Sequence, residues 1–180
     1  MRGKIFIVIA VWIAIASGSF FWNYVEAVKA RDEIAFQTAR SFFDQIVIAR
    51  TWNARHGGVY VPVTGDTQPN PYLAVPGRDI KISQDLTLTK INPAYMTRQM
   101  SEIAAKQKGT KFHMTSLLPV QPENKPTPQE KKALEAFEKG VKEVGQFFGT
   151  GDEAVFFYMA PLVTEKTCLQ CHARVQGGRY

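Results

Sequence analysis

The sequence predicts an α+β protein in which a long N-terminal helix, continuous with a single transmembrane anchor, precedes a domain of short strands and helices. Three observations carry this. Ile5 to Val25 is a run of 21 residues without a charge. Tyr24 to Arg55 contains neither proline nor glycine. After Gly57-Gly58, strand-like runs and helix-start signals follow one another to the end of the chain, as an α+β pattern requires.

The anchor comes first. As a helix the uncharged run extends about 31 Å, the hydrocarbon thickness of a bilayer. Arg2 and Lys4 precede it, no lysine or arginine interrupts it, and Phe20, Phe21, Trp22 and Tyr24 supply an aromatic belt for the far interface. A cleaved signal peptide is the competing reading, because Ala14-Ile15-Ala16 before Ser17 resembles a small-residue cleavage site. The apolar run continues past that point, which favours an uncleaved signal-anchor. Residues 1–25 then cross the inner (cytoplasmic) membrane once, with the basic N-terminus in the cytoplasm and the rest facing the periplasm.

Residues 26–55 predict a juxtamembrane helix. Val28, Ala35, Ala39, Phe42, Ile46 and Ala49 recur at helical gaps of 7, 4, 3, 4 and 3, while Arg31, Asp32, Glu33, Arg40 and Asp44 lie off that stripe. The apolar face must cover a sheet or a second helix, and Gly57-Gly58 ends it. Residues 56–180 form the domain. Val59 to Val63 predicts a strand near a sheet edge, since Pro62 cannot donate to a ladder. Thr64 to Arg78 is a long connection, with weak strands following at Ile80–Ile82 and Leu86–Thr89. Asn92-Pro93 starts a helix through Tyr95, Met96, Met100, Ile103 and Ala104 that ends at Gly109. Lys111 to Leu118 predicts a strand, and Pro119 to Pro126 a proline-stiffened loop. Thr127-Pro128-Gln129-Glu130 is a capping box, opening a helix with Leu134, Phe137, Val141, Val144 and Phe148 inward. Ala154 to Val163 predicts a central strand.

Composition sets modest bounds. About 155 residues follow the anchor, enough for one domain with its own core. The net charge is +6, of which Arg2 and Lys4 supply two, so the exported part is only mildly basic. That suits an acidic docking partner or anionic headgroups of the membrane lipid bilayer. Nucleic acid is excluded as a partner, for no basic tract carries interleaved aromatics. There is no phosphate-cradling glycine loop and no internal repeat. Carboxylates and histidines show no acid–base pairing and no nucleophile motif is present, so the chain does not read as an enzyme.

Its chemistry lies near the C-terminus. Cys168-Leu169-Gln170-Cys171-His172 contains the only two cysteines of the 180 residues. Cys-x-x-Cys-His is the attachment signature of c-type haem. Two thiols at this spacing each add to one vinyl group, and the next residue supplies the proximal imidazole to the iron. A zinc half-site competes weakly, because there is no second cysteine pair and His56 and His113 lie far upstream without ligand spacing. A thioredoxin-like dithiol would sit at a helix start after the first strand of a βαβ unit. The expectation is one covalent haem c, attached outside the cytoplasmic membrane, in agreement with the exported topology.

Several blocks together carry a resemblance: WNARHGGVYVPV, QPNPYL, RDI, LTLTKINPAYMTRQMSEIA, FHMTSLLPVQPENKP, ALEAFEKG, FFYMAPL and CLQCH. In this order, from about Phe42 to His172, the chain resembles the c-type haem sensor domain with a PAS-like fold, often carried on the periplasmic side of bacterial histidine kinases. The resemblance implies a PAS-like antiparallel sheet with the long helix packed beside it. It also implies one haem on Cys168 and Cys171 with His172 on the iron. Members usually continue past the pentapeptide with Gly-Asp-x-Arg-Gly-Gly and a final strand, whereas eight residues follow His172 here. The expectation is a sheet without its closing strand, and no kinase, cyclase or methyl-accepting output module.

The sixth ligand decides the use of the haem, since a side chain there suits electron transfer and an open position suits gas binding. Some relatives use a cysteine of the long helix, but this chain has none to spare. His56, at the break of the long helix, and His113, alternating with Phe112, are the candidate distal ligands. Met96, Met100, Met114 and Met159 stand behind them, the first two better read as core filler. For His56 the competing reading is a capping or hydrogen-bonding role. The function expected is that of a membrane-anchored periplasmic monohaem c-type cytochrome carrying one electron. Its partner is a redox protein or a larger membrane complex of which it is an accessory subunit. The alternative is a haem-based redox or gas sensor acting through a separate partner protein, and a third reading is a structural haem subunit.

Overall fold

The structure, a computed structural model, describes residues 2–108, 111–119 and 121–162. Its architecture is α+β. Helix α1 runs unbroken from Arg2 to Arg55. The apolar window of this helix has none of its surface buried in the protein, and it is long and apolar enough to cross a membrane. Its last turn closes with Gly57 N–H donating to Ala54 O and Gly58 N–H to Asn53 O, the paired bonds of a Schellman motif. That motif needs a left-handed residue after the helix, and Gly57 takes φ 70°.

The described residues form two compact units. One comprises residues 42–144 with 159–162. In it β1 (Val59–Pro62), β2 (Asp79–Lys81) and β3 (Thr87–Ile91) make an antiparallel sheet in the order β1-β3-β2. Pro62 thus lies on an outer strand, as its missing N–H requires. Register is pinned where Asp79 opposes Thr89, whose hydroxyl donates to the Asp79 carboxylate at 2.7 Å. Helix α2 (Pro93–Lys108) starts at Asn92, whose Oδ1 accepts from the Tyr95 N–H at 3.0 Å. Helix α3 (Pro128–Glu138) starts at the Thr127–Glu130 capping box. The connection before β2 is tied to α2, Tyr95 Oη donating to Gln68 O at 2.7 Å and Gln99 to Thr67 at 3.1 Å. The buried set here mixes Leu73, Ile91, Tyr95 and Ala133 with Asn53, Asn70, Thr89, Thr97 and Glu130.

Three expectations change in this unit. Lys111 to Leu118 is not a strand. Instead of a ladder partner, Phe112 uses the Ser101 hydroxyl, which accepts from its N–H at 3.0 Å and donates to its carbonyl at 2.7 Å. Second, α3 stops at Glu138. Val141 N–H reaches back to Ala136 O and Gly140 N–H to Phe137 O, with Gly140 at φ 92°, so a second Schellman motif ends the helix ten residues early. Third, Phe42 is exposed and Phe43 half-buried. A straight helix advances 3.6 residues per turn, so a stripe drawn at 3.5 drifts off the inward face.

The other unit comprises residues 2–41 with Gly145–Tyr158. Here β4 (Val144–Phe148) and β5 (Val155–Met159) form a two-stranded sheet joined by a turn containing a short 3₁₀ segment, Gly151–Glu153. Among the described residues β5 pairs with β4 alone, an outer position there in place of the central one expected for Ala154 to Val163. Alternation puts Gly145, Phe147, Phe156 and Tyr158 on one face. Phe36 of α1 meets Phe156 and Tyr158 edge-on at 6.4 and 5.4 Å, and Phe147 meets Phe156 at 4.8 Å. Gly145 permits this approach: a Cβ there would stand 2.5 Å from the Phe36 ring. The Arg31 guanidinium sits 4.6 Å from the Phe147 ring centroid. On the opposite face Phe148 and Phe157 pair at 5.8 Å.

Candidate functional site

The chemistry starts from Cys168, Cys171 and His172, which lie outside the described residues. The two other histidines are described, and each takes its orientation from a helix end. His56 directly follows α1. Its Nδ1 lies 2.7 Å from Trp52 O, and its ring stands 4.5 Å from the Trp52 ring. A carbonyl oxygen only accepts, so Nδ1 carries a proton, and in the neutral imidazole Nε2 is then the nitrogen with the lone pair. The hydrogen-bonding role expected as the bland alternative is therefore present, and it leaves the ligating nitrogen open.

His113 is held from the other side. Its Nδ1 lies 2.7 Å from Oε1 of Glu130, in the first turn of α3. The other Glu130 oxygen accepts the Thr127 N–H at 2.7 Å. The Glu130 side chain is 10% exposed, His113's 35%. Burial alone would raise the Glu130 carboxyl pKa. The bonds with the Thr127 backbone, His113 and the Thr127 hydroxyl outweigh it and hold it below the ordinary carboxylate range. An ionised carboxylate only accepts, so His113 too carries its proton on Nδ1. A histidine whose Nδ1–H is bound by a carboxylate or carbonyl is the usual preparation of Nε2 as a metal ligand.

The methionines divide. Met114 Sδ receives Arg50 Nη1 at 2.7 Å, and Met96 Sδ receives Asn53 Nδ2 at 3.6 Å. Met100 in α2 and Met159 at the end of β5 are half-buried. No hydrogen bond or ring contact among the described residues joins His56 to His113, and no group of three His, Cys, Asp or Glu side chains gathers there. The donor chemistry fits a haem c: two thiols and an imidazole in sequence, with two separate imidazoles each offering one open nitrogen.

Arg50 and Asn53 escaped the sequence reading. Arg50 Nη1 joins three segments, donating to Pro93 O at 3.1 Å and Thr97 Oγ1 at 3.0 Å besides Met114. Asn53 is wholly buried, its Nδ2 donating to Ile91 O at 3.2 Å while Oδ1 has no hydrogen-bond partner among the described residues. A signal existed for Asn53. The stripe that ends at Ala49 continues, four residues on, to this amide.

Comparison with curated proteins and with solved structures gave no match. The profile of the Tll0287-like family matches residues 24–178, a span holding the pentapeptide, His56 and His113. This family is reported as a c-type haem sensor domain and is associated with haem c binding. With a match over most of its length, the chain belongs to the Tll0287-like family of haem-binding domains.

Proposed function

We propose that this protein is a membrane-anchored monohaem c-type cytochrome that carries one electron on the periplasmic side of the inner membrane, and that it is not an enzyme. The observation that carries the reading is Cys168-x-x-Cys171-His172 within the family-matched span, on a chain whose N-terminal helix is long and apolar enough to cross a membrane. We also read the domain as PAS-like, its partner being a redox protein or a larger membrane complex.

Cys168 and Cys171 would hold the group, each S–H adding across one vinyl double bond, and His172 would give the proximal nitrogen. Bound there, the haem supplies a reversible one-electron iron couple. The remaining work falls to the chain. His56 or His113 offers Nε2 for the sixth position, already in the right tautomer. Glu130 holds the His113 Nδ1–H as the Trp52 carbonyl holds that of His56, so each ring is oriented by a fixed acceptor. Transfer of an electron needs no general acid, base or nucleophile. The second reading, a redox or gas sensor acting through a partner protein, is favoured by the report of this family as a sensor domain.

Purified full-length protein should give a c-type pyridine haemochrome and a mass one haem above the apoprotein. Its reduced spectrum should be six-coordinate and unchanged by carbon monoxide. A mass equal to the bare chain ends the haem reading; carbon monoxide binding transfers the case to the sensor. Either His56→Ala or His113→Ala should open the sixth position, and if neither alters the reduced spectrum both histidines fail as ligands.

A further inference from the structure

The β4–β5 hairpin runs beside α1 in a definite direction. Gly145 lies against Phe36, and Phe147, two residues on, lies against Arg31. Going up β4 therefore means going back along α1 toward its apolar end. The two rises agree: five helical residues cover about 7.5 Å and two strand residues about 6.6 Å. β4 is thus close to parallel with the helix axis and opposite in sense. Arg31 stands six residues beyond Val25, the last residue of the uncharged run, a distance of about 9 Å. The strand covers about 3 Å of this before it ends at Phe148. The turn that follows, Gly149 to Ala154 with the 3₁₀ segment Gly151–Glu153, leads on toward the level of Val25.

We infer that the turn of the β4–β5 hairpin rests on the bilayer surface, a second, peripheral contact with the lipid headgroup region beside the spanning helix. The inference rests on α1 spanning the membrane, because the position of the span sets the height of the headgroups. The side chains suit that zone. Val155 begins β5 at the turn and is 65% exposed. It shares the face away from α1 with the Phe148–Phe157 pair, so apolar groups point outward at interfacial height. Glu153 and Thr150 are exposed in the turn, and the Lys29–Glu26 ion pair occupies the same level on α1. These stay hydrated among headgroups. A single helix leaves an attached domain free to tilt, its angle being set by packing and interfacial anchors. The hairpin adds such an anchor to the side of α1 and fixes this unit's height over the membrane.

The test is photocrosslinking from the full chain in vesicles of phosphatidylethanolamine and phosphatidylglycerol. A benzophenone amino acid replaces Val155, or Thr150 in a second variant, with Phe20 as a membrane-embedded reference and Ser41, on the same unit, as an aqueous one. The haem spectrum of each variant reports folding. Phospholipid adducts at Val155 and Thr150 severalfold above Ser41 support the contact. Lipid adducts at Phe20 with none at either hairpin position overturn it. Crosslinks from Val155 to a protein, without lipid adducts, also overturn it. An absence of lipid adducts at Phe20 removes the spanning helix itself, and the inference with it.

Discussion

Glu130 is where a helix cap and a candidate haem ligand meet, and its removal has a calculable cost. In Glu130→Ala the Thr127 N–H loses its acceptor, 2.7 Å away, which undoes half of the capping box. Loss of such a cap costs about 1 kcal/mol. His113 Nδ1–H also loses its acceptor, but a side chain 35% exposed finds water instead, so this adds about 1 kcal/mol rather than the full penalty of an orphaned donor. The total of about 2 kcal/mol corresponds to about 30-fold faster local opening at α3. Thr127→Ala removes only the hydroxyl that accepts from Glu130 N–H at 3.3 Å, and should speed opening about fivefold. Glu130→Gln has one acceptor oxygen for two donors and should behave like Thr127→Ala. Hydrogen exchange of the 127–138 peptide in the full chain, corrected for intrinsic rates, reads each value. The pH dependence has a definite sign. Because the folded pKa of Glu130 is lowered, its stabilisation is complete above the ordinary value of 4.5 and disappears as pH falls through the lowered one. Protection of α3 should fall there in the wild type and stay flat in Glu130→Gln. Exchange in Glu130→Ala within twofold of wild type, or a Thr127→Ala effect as large as that of Glu130→Ala, refutes the junction.

Two other substitutions probe packing away from this helix. Gly145→Ala drives a methyl to 2.5 Å from the Phe36 ring, and the displaced aromatic cluster should cost about 1–3 kcal/mol, seen as a lower thermal midpoint with a weakened near-UV aromatic signal; an unchanged midpoint would disprove the close approach. Asn53→Ala removes a wholly buried donor from Ile91 O and should cost about 1–3 kcal/mol in denaturant titration. Asn53→Asp should cost more at neutral pH, by placing an acceptor-only charge against that carbonyl, and should recover on acidification; equal stability of the two variants would contradict this.

Local patterns announced much of this architecture. The uncharged run, the Pro- and Gly-free helix after it, Gly57-Gly58, Asn92-Pro93 and the Thr127 capping box are all signals within a few residues, and each element they mark is present. The departures have two causes, a terminator inside a periodic run and a side chain standing in for a ladder partner. Val141, Val144 and Phe148 continue the helical gaps of Leu134 and Phe137, but Gly140 had already reversed the backbone, and Val144 to Phe148 obeys the two-residue period of a strand. Lys111 to Leu118 has strand-like alternation, with Phe112 inward and His113 outward, yet the Ser101 hydroxyl supplies the bonds that a neighbouring strand would. A side chain eleven residues before Phe112 is not a signal that periodicity carries. Asn53 shows the converse case, a polar residue on an apolar stripe, legible as an anomaly before its burial was known.

The two halves of the candidate site differ in the same way. The candidate attachment residues Cys168, Cys171 and His172 are legible in five consecutive residues, because the Cys-x-x-Cys-His pattern is itself a fixed spacing. The distal candidates are specified by helix termini. His56 depends on the last turn of α1 presenting the Trp52 carbonyl, which the Gly57 reversal leaves accessible. His113 depends on the capping box holding Glu130 in place, with one carboxylate oxygen on the helix and the other on the imidazole. A histidine oriented by a cap is only as rigid as that cap. Helix-end stability and imidazole orientation are therefore coupled at His113, and a variant that loosens α3 should loosen the imidazole with it.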